Sequence, residues 1–168
     1  SKIGPAFGPV GAVCGKCHLL NQAKAYQKYH WPNFDIVKIT DPLSNKLLAW
    51  KDYMQQMAGI YTAIGNDLGQ GQLDNARKDF QAFSAVFKTL PQGCVACHAT
   101  PRTYFVDASV LALVDQLGKE LAASAPDAKK VGDLSGAIGN ESCMKCHLVH
   151  IPPQSTKATW ETFKDLFK

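Results

Sequence analysis

The sequence predicts an all-α, helical bundle-like fold, and three observations carry that prediction. Apolar residues recur at alternating spacings of three and four along several long stretches, the period of one helix face. Asp, Ser, Gly and Pro stand at the ends of those stretches, where helices start and stop. Strand signals, by contrast, are weak throughout the 168 residues.

The elements follow in order. A Gly- and Pro-rich opening leads into a short polar helix over 19–29, which Trp31-Pro32 should end, because a residue before proline disfavours the helical region. Asp41-Pro42 reads as the next helix start, with Asp as N-cap and Pro in the first helical position. Its stripe runs Leu47, Trp50, Met54, Met57, Tyr61, Ile64 and Leu68, and Gly69 and Gly71 break it. A second stripe, Leu73, Ala76, Phe80, Phe83, Phe87 and Leu90, stops at Pro91 and Gly93. Two shorter helices are expected over 107–124 (Val110, Leu113, Leu117, Leu121) and 126–138 (Val131, Leu134, Ile138), the last closed by Gly139. A final amphipathic helix, capped by Ser155, would present Trp160, Phe163, Leu166 and Phe167. The expected organisation is an N-terminal arm over 1–42 and a helical domain over 43–168, together one compact unit.

Composition excludes several classes. The richest apolar run, 106–121, is interrupted by Asp107, Asp115, Lys119 and Glu120, so no transmembrane segment is expected. The formal charge is +4, but the lysines are scattered and only Arg77 and Arg102 supply guanidinium groups. That is poor material for a phosphate-binding stripe, and no nucleic-acid partner is expected. The start at Ser1, without a leader, reads as a processed N-terminus.

All six cysteines fall into one pattern, repeated three times: Cys14-Gly-Lys-Cys17-His18, Cys94-Val-Ala-Cys97-His98 and Cys143-Met-Lys-Cys146-His147. Cysteines three apart lie on one side of a helical turn, so both sulfurs can reach the two vinyl groups of one porphyrin. The histidine that follows sits under the iron. This is the c-type haem attachment signature. Zinc would pair two Cys-x-x-Cys units and leaves six thiolates awkwardly placed. A disulfide framework does not explain a histidine after every pair, and a thioredoxin-like motif is expected once. Three covalently bound haems are therefore expected, with Cys14, Cys17, Cys94, Cys97, Cys143 and Cys146 as attachment points. His18, His98 and His147 are the proximal iron ligands. Three haems also add about six propionate charges against about three at ferric irons, which brings the net charge near zero.

Distal ligands are scarcer. Only His30 and His150 remain of the five histidines, so at most two irons can be bis-histidine within one chain. His150, three residues past His147, lies on the proximal side of its own haem and is assigned to a different one. His30, at the end of the 19–29 helix, is assigned to an iron without choosing which. Met54 and Met57 sit on an apolar stripe, where methionine serves core packing well. They are also the well-placed thioethers for a third distal position, since Met144 lies inside its own attachment motif. Arg102 is a propionate-pairing candidate, and Trp31, Trp50, Tyr104 and Trp160 are read as haem-packing or core residues.

On these motifs the chain resembles the small periplasmic multihaem c-type cytochromes, here with three haems. The four helices that end at Cys143–His147 are similar to cytochrome c′, a four-helix bundle around one haem whose motif lies near the C-terminus. This chain adds a motif after the second helix and another in the arm. The resemblance implies export to a bacterial periplasm or the cell exterior, because haem is attached there in these cytochromes. It implies electron transfer between redox proteins by transient docking, not an enzyme. Two alternatives stay open. One haem with an open iron would bind or reduce a small ligand such as NO or CO. The chain would otherwise be a subunit of a larger redox complex, with Ile151-Pro152-Pro153 and the last helix as a docking arm.

Overall fold

The structure, a computed structural model, describes residues 8–17, 36–97 and 105–163. The chain divides into two units, Asn33–Leu148 and a second made of Ser1–Pro32 with Val149–Lys168. In the latter, residues 8–17 form helix α1, on which Val10 and Val13 are exposed. The expected helix over 19–29 and its Trp31-Pro32 stop lie outside the described residues.

The larger unit opens with a two-stranded antiparallel hairpin, β1 (Lys38–Thr40) and β2 (Leu47–Ala49), with Ile39 opposite Leu48. This corrects the helix start expected at Asp41-Pro42. The Asp41 carboxylate does accept the N–H groups of Leu43 and Ser44, as an N-cap would, at 3.1 and 3.0 Å. The helix is not propagated. Asn45 turns left-handed at φ 57°, a conformation asparagine tolerates, and the chain reverses into β2. Helix α2 then starts at Trp50, whose N–H is taken by the Val37 carbonyl at 3.0 Å rather than by a side-chain cap.

Helix α2 (Trp50–Gly69) and helix α3 (Leu73–Thr89) form an antiparallel pair across a tight turn. Gly71 holds the left-handed φ of 74° that closes this turn, and a residue with a Cβ would be strained there. Helix α3 ends just before Pro91, as expected, but Gly93 is not a stop. Pro91 opens the short helix α4 (Pro91–Cys97), since proline lacks only an N–H that a first turn leaves unpaired.

Helix α5 (Ala108–Ala122) and helix α6 (Ala128–Ile138) are capped by Asp107 and Asp127, whose carboxylates accept N–H groups two and three residues on. Helix α2 touches α3 and α6, and α5 touches α3 and α6, so each of the four has two neighbours. Tyr53, Phe83, Phe87, Val114, Leu117 and Ile138 are buried between them. The expectation of an all-α fold holds for the described residues, apart from the small hairpin.

Gly139 does not close α6. It is helical (φ −56°, ψ −48°), and the chain continues through a wide π turn, Gly139–Met144, into helix α7 (Lys145–Phe163). Nor does Ser155 start a new helix. A helix nucleated upstream extends without a second cap, and α7 carries through Pro152 and Pro153 despite the donors they lack. No helix among the described residues is long and apolar enough to cross a membrane.

Candidate haem attachment sites

The second and third motifs both belong to the larger unit. Cys94 lies on α4, which Cys97 closes; Cys143 sits in the π turn, and Cys146 in the first turn of α7. Cys94, Cys143 and Cys146 are half-buried thiols, while Cys14 and Cys17 on α1 are exposed; none of the five is in a disulfide. His147 is exposed, and His150 further along α7 is partly buried. His18, His30 and His98 lie outside the described residues, as do Arg102, Trp31 and Tyr104.

Burial pushes the thiols of Cys94 and Cys143 up from their ordinary value. Cys146 is pushed up to about 12, first by burial and then by the negative charge that Cys94 and Cys143 would carry as thiolates. The two motifs are therefore within electrostatic reach of each other. Burial holds Cys94, Cys143 and Cys146 toward the neutral thiol, the form that leaves no charge stranded away from water.

Helix α2 links the surroundings of both motifs. At its start, the Trp50 ring lies on the backbone of Gly93, next to Cys94. Three turns on, the Tyr61 hydroxyl donates to the Ser135 carbonyl at 2.5 Å. The Tyr61 phenol is pushed up to about 12, mainly by burial and further by the neighbouring Cys143. Between them stand the two candidate methionines. Met57 is only 5% exposed inside the core, and Met54 packs partly buried against its edge.

Exposed apolar side chains stand beside both motifs. Val95 is 62% exposed, Met144 50% and Leu148 68%. Among the described residues no three His, Cys, Asp or Glu side chains converge as a metal site.

Two features of these sites escaped the sequence reading. One is the pairing of Trp50 with Gly93, which pattern alone shows only as a stripe residue and a helix stopper. The other is the π turn, signalled faintly by Gly139-Asn140, two poor helix formers directly before the motif. No protein-family model, curated protein or solved structure matches the chain.

Proposed function

We propose that the protein is a triheme c-type cytochrome that passes electrons between redox partners in a bacterial periplasm or at the cell exterior. The observation that carries this reading is the threefold Cys-x-x-Cys-His motif, which uses every cysteine in the chain. The half-buried thiols of Cys94, Cys143 and Cys146 support it.

In this reading each cysteine pair holds one haem through two thioethers, and His18, His98 and His147 bind the irons from the proximal side. His30 and His150 are the distal histidines, with Met54, at the edge of the core, for the remaining position rather than the enclosed Met57. Bound haem supplies a one-electron ferric/ferrous couple. The protein's own part is to fix the ring edge, choose the axial ligands and keep water from one face of each ring. Partners are redox proteins that dock transiently; neither the scattered lysines nor the two arginines favour nucleic acid.

The test is direct. Expressed and exported in a host that matures c-type cytochromes, the chain should gain the mass of three haems and stain for covalent haem after denaturation. A chain that acquires none sinks the reading.

A second function is favoured by one count. Five histidines serve three irons with six axial positions, which leaves one iron open to NO or CO unless a thioether fills it. Carbon monoxide added to the reduced protein separates the two. An unchanged spectrum with three low-spin irons supports electron transfer alone, and a shifted band with a high-spin component supports small-ligand binding.

A further inference from the structure

Helix α6, the π turn Gly139–Met144 and α7 form one continuous helical run. A π turn closes i→i+5 hydrogen bonds and so holds one residue more than the α-helix it interrupts. Each residue of an α-helix advances the direction of its side chain by roughly 100°. The extra residue therefore turns everything after it by about that angle.

Ile138, fully buried, marks the core-facing direction at the end of α6. In an unbroken α-helix Cys143 would stand about 140° from that direction and Cys146 about 80°, while Lys145 would point about 20° from it. With one extra residue the order reverses. Cys143 comes to about 40° and Cys146 to about 20° on either side of Ile138, and Lys145, Met144 and Leu148 turn outward. The observed burial follows the second arrangement: both cysteines are half-buried, Ser142 is buried, and Met144, Lys145 and Leu148 are exposed. On that side Tyr61, whose hydroxyl reaches Ser135, feels the charge of Cys143, and Cys146 that of Cys94 on α4.

We propose that the extra residue of this π turn is a positioning device. It aims the third attachment motif at the face shared with the second, so that the haem on Cys143 and Cys146 sits against the haem on Cys94 and Cys97. The inference rests on the triheme reading above. Asn140, exposed within the turn, is the residue whose removal restores an unbroken helix.

The experiment uses the exported holoprotein and its Asn140 deletion, with Asn140→Ala as the variant that keeps the residue count. Mass spectrometry is expected to find three haems in all of them, because the motifs are untouched. Redox titration and EPR are expected to show the third haem's potential shifted in the deletion and its magnetic interaction with the second lost. Asn140→Ala should match the parent. Unchanged potentials and EPR lines in the deletion overturn the proposal. If the deletion does not accumulate as folded protein, the parent and its Cys94→Ala/Cys97→Ala variant decide. Loss of the second haem should then change the third haem's EPR signal, and an unchanged signal overturns the proposal. Fewer than three haems on the parent overturns the cytochrome reading itself, and the mass separates that failure from the other.

Discussion

The Trp50 ring occupies the space that a side chain at Gly93 would need: a Cβ built there would stand 2.1 Å from Cζ3 of the indole. The start of α2 is thus seated on the backbone that leads into Cys94. Gly93→Ala should gain up to about 1 kcal/mol in helix propensity and lose about 1–3 kcal/mol in overpacking. A net destabilisation of about 1–2 kcal/mol is expected by thermal unfolding. In the proposed cytochrome the absorption and potential of a haem on Cys94 should move with it, and Gly93→Ala together with Trp50→Leu should recover much of the stability.

Asp41, 2% exposed, accepts hydrogen bonds from the Leu43 and Ser44 N–H groups, the Ser44 hydroxyl and the Gln56 amide. Burial opposes its charge, but these donors, the Ser44 hydroxyl first, hold the carboxyl below its ordinary value of 3.8. A depressed folded value favours the fold above the unfolded carboxyl's pKa, and that contribution is lost as pH falls through the lower, folded one. Asp41→Ala should cost about 2–3 kcal/mol at neutral pH. Denaturant melts from pH 7 downward should show the gap between parent and Asp41→Asn narrowing below pH 3.8; a gap that does not depend on pH would sink the assignment.

The same residue shows what could be read from the chain in advance. The capping chemistry of Asp41 was legible, yet the hairpin was not, because three-residue strands leave no periodic trace. The helices expected from the clear apolar stripes over 107–124 and 126–138 do form, starting at Ala108 and Ala128 behind the caps Asp107 and Asp127. Gly139 misled because glycine ends a helix only where the backbone turns left-handed, and here packing keeps it helical. The three Cys-x-x-Cys-His motifs are contiguous and visible as letters. The direction in which the third is presented follows a π turn, and tertiary packing decides where such a turn forms.

Met57 lies in the core with Tyr53 and Ile64, while Met54 stands at its edge. A thioether closed in on all sides cannot also face a haem iron without opening the α2–α3 contact. Met57→Leu, near in volume, should cost less than about 1.5 kcal/mol and leave the ferric spectrum and potentials unchanged. Loss of a sulfur-to-iron charge-transfer band in that variant would return Met57 to the list of axial ligands.

Two buried phenols set an alkaline limit. Tyr53, fully buried, donates to the Val86 carbonyl at 2.6 Å, and burial, with the Asp41 charge adding to it, pushes its pKa from 10.0 to about 12. Tyr61 is likewise raised to about 12, chiefly by burial. In each case the fold holds the proton more tightly than the unfolded chain does. The stabilisation from that proton is complete below pH 10.0 and is lost as pH rises through about 12. Unfolding midpoints should therefore fall steeply across that interval, with tyrosinate absorbance rising together with loss of helix. Tyr53→Phe should cost about 1 kcal/mol at pH 7, where a buried carbonyl loses its donor. Above pH 10 the penalty should shrink, because the variant has no phenol to deprotonate at that position. Tyrosinate absorbance that rises fully near pH 10 while helical circular dichroism stays intact would show that these phenols are not held by the fold.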